Sequence, residues 1–216
     1  MVRETLELLD WRRRVADLYG EVRRRGTSET TWRWWRDARD ELFAGHPASP
    51  LPISLRASFT GLPVFPYDPD LRLGAVEVHE AEPVRAEIAH SAAGTTPTRR
   101  VGTLALELGG VAHPVPVHWL DAYGGGVFVP LRDATNGDAT YGGGRYLLDT
   151  VKGADLGGSG GYLEIDLNFL YHPSCAHDPT WSCPLASSDE ALPVAIEGGE
   201  RLSHDLVEEQ SMEVAT

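Results

Sequence analysis

Four residues within a stretch of twelve carry the metal-type and thiol-type chemistry of this chain. They are His172, Cys175, His177 and Cys183, spaced H-x2-C-x-H-x5-C. Thiolate and imidazole are the natural ligands of zinc, and four such groups can close a tetrahedron. The spacing is not that of zinc ribbons or fingers, which pair their ligands as C-x2–4-C. The same residues read first as two buried thiols, then as a zinc site, then as a Cys175–Cys183 disulfide in an exported chain. A cysteine nucleophile is a further reading, with His172 or His177 activating Cys175.

A second group lies just upstream. Gly142, Gly143 and Gly144 precede Arg145, so backbone N–H groups and a guanidinium can cradle an anion there. The run lacks the Lys-Ser/Thr of a phosphate loop and opens no evident helix. The alternative is a tight connection into a strand, with Arg145 paired to Asp133 or Asp166. Asp133, Asp166 and Glu200 can supply acid and base, with Tyr141 beside them. Asp166 and Asn168 alternate on a strand expected over 161–168, so they share a face with Glu164. Asp133, Thr135, Asn136 and Gly137 also suit an Asx-turn that positions the loop.

The elements that must hold these groups follow from periodicity. Leu8, Trp11, Val15, Leu18 and Val22 recur every three or four residues, which predicts an amphipathic helix over 4–25. Gly26 ends it, and Ser28 can cap a second helix running to Phe43. Tryptophans 32, 34 and 35 should pack on the core there, with the neighbouring arginines in solvent or paired to Asp37, Asp40 and Glu41. Six prolines between Pro47 and Pro69, interleaved with Phe59, Leu62, Phe65 and Tyr67, predict an extended segment wrapped on the body. From Leu73 the period becomes two. Strands are expected at 73–79, 83–89, 100–108, 113–120, 126–131, 144–149, 161–168 and 192–197, with Gly109-Gly110 as a hairpin turn.

Several of these segments, taken in order, carry a resemblance. SPLPISLRASFTGLPVFPYDPDLRL, FVPLRDATNGDATYGGGRYL, DLNFLYHPSCAH with SCPL, and a final GGE resemble the bacterial and archaeal family known as domain of unknown function 1684. The similarity spans roughly Trp32 to Arg201. It implies a β-rich fold after N-terminal helices and brings no activity with it. The positions that match its pattern include Asp133, Thr135, Tyr141, Arg145, Tyr146, Asp166, Asn168, Tyr171, Cys175, Cys183 and Glu200. The family pattern often has Asn where this chain has His172, which argues against a metal site common to the family. Beyond Pro184 the pattern tends to more prolines and an Asn, where this chain has a polar stretch.

Composition bounds the partners. The net charge of −13 opposes nucleic acid and anionic membranes. No apolar run reaches the length of a membrane span, and residues 1–25 lack the apolar core of a secretory signal. Two cysteines without export fit a reducing cytoplasm. The expected fold is α+β and mainly β: two N-terminal helices before an antiparallel β-barrel or sandwich-like body. Residues 1–45 form the helical part, 46–201 the β-rich domain with its aromatic-proline wrap, and 202–216 an acidic tail. The expected site is a pocket for a small polar or anionic molecule. Arg145 holds the ligand, Tyr141 and Asn168 orient it, Tyr146, Tyr171 and Thr135 line it, and Asp166 or Asp133 serves as base if the site is hydrolytic. The alternative is a structural protein with a buried polar network, and less favoured still, a bound zinc.

Overall fold

A computed structural model describes residues 1–202. The segment expected as a tail therefore lies, from position 203 onward, outside the described residues; Leu202 itself is buried. Helix α1 runs over Val2–Arg25 and α2 over Glu29–Gly45. The stripe read from the sequence is the buried one: Trp11, Val15 and Val22 are in the core, joined by Tyr19. Gly26 closes α1 with φ 74°, a conformation in which a Cβ would be strained. Ser28 caps α2 by accepting a hydrogen bond from the Thr31 N–H at 3.1 Å. A short helix α3, Ile53–Arg56, interrupts the proline-rich wrap.

Seven strands follow: β1 Arg72–Ala89, β2 Thr95–Leu108, β3 Val111–Leu120, β4 Val127–Leu131, β5 Arg145–Asp149, β6 Gly158–Ser159 and β7 Tyr162–Asp166. They form one antiparallel sheet in the order β5-β4-β3-β2-β1-β7-β6. Its ladders do not close, so the open, sandwich-like form applies rather than the barrel. A single antiparallel bridge, Tyr146 to Tyr171, links β5 to the chain leaving β7. The β2–β3 hairpin turns at Gly109 and Gly110, both with positive φ, as a two-residue turn that follows strand twist requires.

Three expectations need correction. The strands expected at 73–79 and 83–89 are one strand. β1 continues through Pro83 because the register slips between Glu80 and Val84, and a bulge accommodates a residue with no N–H to donate. The segment 192–197 is not a strand. Pro193 interrupts it, and isolated bonds hold it instead: Leu192 N–H to Arg132 O, Ala134 N–H to Val194 O, and Ile196 N–H to Asp133 Oδ1. The strand expected over 161–168 ends at Asp166, where a single-turn helix, Leu167–Phe169, takes over.

The sheet separates two cores. Under the helices, Trp11, Tyr19, Trp32, Trp35 and Phe43 meet Phe128, Tyr146, Phe169 and Tyr171. The other cluster is aliphatic: Leu104, Leu106, Val115, Val117, Val129, Leu131, Leu147 and Ile165, with Leu192 and Ile196. Phe128 and Val129 are neighbours in β4 yet enter different cores, as strand alternation dictates. None of the described helices is long and apolar enough to cross a membrane.

Candidate functional site

Arg145 starts β5 with its side chain wholly inside the protein. One terminal nitrogen, Nη2, lies 2.8 Å from Asp133 Oδ2 and donates to Ile196 O at 2.8 Å. The other, Nη1, donates to the carbonyls of Gly198 and, at 3.2 Å, Glu200. The sequence reading of Arg145 as the holder of an anion is thereby corrected: its anion is Asp133. Burial pulls the guanidinium pKa down, and Asp133 opposes that pull. The three glycines face elsewhere. A Cβ at Gly143 would strike the Tyr141 ring at 2.4 Å, and Gly144 turns with φ 88° beside Leu131. They are a packed connection into β5.

Asp133 is fixed as the Asx-turn predicts. Its Oδ1 accepts from the Thr135 N–H at 2.9 Å and from the Thr135 hydroxyl at 2.6 Å. Thr135 is buried against Thr140, so it is a turn residue rather than a ligand contact. Asp166 and Asn168 belong to a different place. Asp166 Oδ1 caps the Leu167–Phe169 turn, accepting from Asn168 N at 3.0 Å and Asn168 Nδ2 at 2.8 Å. Asn168 also ties down the proline-rich wrap, accepting from Asp68 N–H at 2.9 Å and donating to Asp68 O at 2.8 Å. Burial raises the Asp166 carboxyl to about 6, and its Oδ2 has no hydrogen-bond partner. Tyr146 donates its hydroxyl to Pro184 O at 2.5 Å, and Tyr171 is buried beside Tyr19. The expected convergence of Tyr141, Arg145, Asp166 and Asn168 on one hollow is not found. Arg145 faces Asp133, Asp166 faces Asn168, and Tyr141 lies near Cys175 and His172.

The histidines do converge, on Glu200. Among the described residues, His172, His177 and Glu200 form the one group of three potential metal ligands with donor atoms within 4.8 Å of one another. The two cysteines stand apart from it, so the expected four-residue zinc set is not assembled. Arg39, buried on α2, pairs with Glu200 at 2.5 Å between Nε and Oε1. Its burial corrects the expectation that arginines of this helix reach solvent or pair locally. The His172 N–H donates to Oε2 at 2.7 Å. Burial opposes ionisation of Glu200, but Arg39 outweighs it and holds the carboxyl below its usual range.

His172 is oriented from behind. Its Nε2 lies 3.2 Å from the Tyr141 backbone nitrogen, which can only donate. Nε2 must therefore accept, and in the neutral ring the proton sits on Nδ1. Nδ1 faces Glu200 Oε2 at 3.9 Å. Burial lowers the His172 pKa to about 3 and that of His177 to about 4, so both rings are neutral at neutral pH. This arrangement does not fit a metal. Metal at Nδ1 would require a proton on Nε2, against another N–H, and both Glu200 oxygens are already engaged. His177 is different. Its ring packs on Phe43 at 5.1 Å between centroids, and its Nε2 is buried with no partner.

His172, His177 and Glu200 form the polar end of a cleft of about 340 Å³. Leu51, Leu55, Phe59 and Leu62 of the wrap provide its apolar side. A larger groove of about 1310 Å³ runs along α1 and α2. It is lined by charged residues of the helix surfaces together with Leu6, Leu18, Trp34 and Leu42, and several of the charges are already paired, such as Arg3 with Glu7 and Arg14 with Asp10. The smaller cleft is the candidate site because His177, whose Nε2 has no hydrogen-bond partner, lines it together with apolar residues of the wrap. Glu200 was legible as the end of the GGE motif. Arg39 carried no local signal, since its partner lies 161 residues away.

The family described as "Protein of unknown function (DUF1684)" matches residues 57–201. A solution structure of an uncharacterised protein from Haloarcula marismortui is 33% identical, covers 82% of this chain and 95% of its own, and superposes with a TM-score of 0.57. No curated protein matches.

Proposed function

This chain belongs to the DUF1684 family, and from that premise we propose that it binds a small molecule with a neutral polar head and an apolar body. The head meets His177 in the cleft, and the body lies along Leu51, Leu55, Phe59 and Leu62. One observation carries the reading: His177 lines this cleft, and its Nε2 is buried without a partner. A buried, unpaired ring nitrogen costs free energy that a ligand hydroxyl, carbonyl or amide recovers.

Charge selects the head. Glu200 is neutralised by Arg39, and both histidines are neutral. An ionic head would find no free counter-ion inside, and Arg201 at the rim is exposed and screened. The reading is of binding rather than hydrolysis. Asp133 and Asp166, the candidate bases, are buried and line no part of this cleft. The His172–Glu200 contact at 3.9 Å exceeds the reach of a base and its orienting partner.

Calorimetric titration with hexanamide, hexanoate and hexylammonium tests this. Hexanamide should bind the most tightly of the three, and replacing His177 by Leu should remove its advantage. Equal binding of all three, or tightest binding of hexanoate, contradicts the proposal.

A further inference from the structure

We propose that Cys175 and Cys183 form a hydroperoxide-reactive dithiol that closes to an intramolecular disulfide. Both thiols are free and buried, and they meet although eight positions apart. The Cys175 N–H donates to Cys183 Sγ at 3.4 Å, which sets the two cysteines side by side. Tyr141 Oη lies 3.7 Å from Cys175 Sγ. Each cysteine is held by a different element. A single-turn helix, Ser174–Ala176, carries Cys175. The end of the β1–β2 arm clamps Cys183: its N–H donates to Ser91 Oγ at 3.1 Å, and the Ser91 N–H donates to Cys183 O at 2.9 Å. Cys183 also lines a second cleft, of about 320 Å³, with Ser174, Ser182 and Pro184. That cleft brings a small neutral oxidant to Cys183 and to Ser174, the residue next to Cys175.

The two sulfurs have unequal roles. The neighbouring Cys183, then Ser91 and Tyr141, outweigh burial and bring the Cys175 thiol down to about 6. The neighbouring Cys175, together with burial, keeps Cys183 protonated, well above its usual range. Cys175 is thus the attacking thiolate and Cys183 the resolving thiol. The thiolate attacks one oxygen of hydrogen peroxide and the O–O bond breaks. The departing hydroxide takes a proton to become water, and Cys175 becomes a sulfenic acid. The Cys183 sulfur then attacks the Cys175 sulfur and the S–O bond breaks. The hydroxyl leaves as water with the Cys183 proton. One peroxide and two thiols give one disulfide and two waters.

The disulfide would close the loop that carries His177, and so fix the polar end of the ligand cleft. That consequence rests on the proposed function; the bond itself does not.

The test uses the full chain, reduced, exposed to one equivalent of hydrogen peroxide and read by intact mass and alkylation. The expected result is loss of the mass of two hydrogens, no alkylatable thiol, and full reversal by dithiothreitol. The reaction should run about tenfold faster at pH 7 than in the same chain unfolded in guanidinium. In Cys183→Ser the sulfenic acid on Cys175 should persist and be trapped by dimedone. The proposal is overturned if both thiols of the wild type still alkylate after exposure. It is also overturned if the disulfide forms only between chains, or no faster than in the unfolded chain. The wild-type mass decides the matter even if the variant does not fold, and it is independent of whether hexanamide binds.

Discussion

Two buried arginine–carboxylate pairs lie on either side of Glu200. Arg145 pairs with Asp133 and reaches the backbone carbonyl of Glu200; Arg39 pairs with the Glu200 side chain. The first pair is closed. Three carbonyls, Asp133 and a turn surround it, and neither side chain touches solvent. The second is open at one point, because the histidines that complete it include one nitrogen without a partner at a cleft. Residue type does not distinguish them. The difference is whether an unpartnered nitrogen lies beside a cavity: Arg145 Nε has no partner either, but Arg145 lines none of the described clefts, whereas His177 lines one. A buried pair sealed from any cleft fixes structure, whereas an unpartnered group beside a cavity has a bond left for a ligand.

Breaking the closed pair should have the largest effect. Arg145→Met leaves Asp133 as an unpaired buried charge and strands three carbonyls, which should cost about 3–5 kcal/mol in denaturant unfolding. The double variant Arg145→Met, Asp133→Leu should recover part of that loss, since two apolar side chains leave no buried charge behind. If the single variant costs under about 1 kcal/mol, Arg145 does not have the structural role assigned to it.

At the open pair, Glu200→Gln removes the Arg39 counter-charge and sets an amide against the His172 N–H. Unfolding should be easier by about 2–4 kcal/mol. Binding of hexanamide should weaken as well, which Arg145 variants that remain folded should not show. Equal loss of binding in both would erase the distinction between the two pairs.

The third prediction concerns pH. Asp166 titrates at about 6 in the fold against 3.8 as a free carboxyl. Its native form thus binds more protons than the unfolded chain between about pH 4 and 6, so its contribution falls as pH rises through that window. His172 and His177 act in the opposite sense. Their native values, about 3 and about 4, lie below 6.5, so their contribution is complete above pH 6.5 and is lost as pH falls. Asp166→Asn removes the opposing component. Measured against the wild type, the variant should gain roughly 3 kcal/mol between pH 4 and pH 7, two pH units at about 1.4 kcal/mol each. A difference that stays flat across this range would mean that Asp166 is ionised normally.

The smallest stability effect belongs to His177. Leu in its place removes an unpaired nitrogen from the cleft and should change unfolding by less than about 1 kcal/mol.

The sequence made one side of this comparison more legible than the other. Arg145 beside three glycines looks like an anion site, and its pairing with Asp133 was one of two readings the residues allowed. Deciding between them needed the carbonyls of residues 196, 198 and 200, which come from a segment that periodicity presents as a strand. The helical stripe, the Gly109-Gly110 hairpin and the Ser28 cap were legible because each depends on neighbours in sequence. Arg39 was not, because the arginines beside the core-facing tryptophans read as reaching solvent or pairing with nearby acids. The tautomer of His172 was hidden for the same reason: it is set by the backbone of Tyr141, 31 residues away.

The most direct test of the open pair is a hexanamide titration followed in two-dimensional ¹H–¹⁵N spectra, wild type beside His177→Leu. Saturable shifts confined to the Leu51–Leu62 wrap and the His172–His177 turn, lost in the variant while its remaining spectrum is unchanged, are the expected result. Shifts of equal size in both proteins, or none at that cleft, would contradict it.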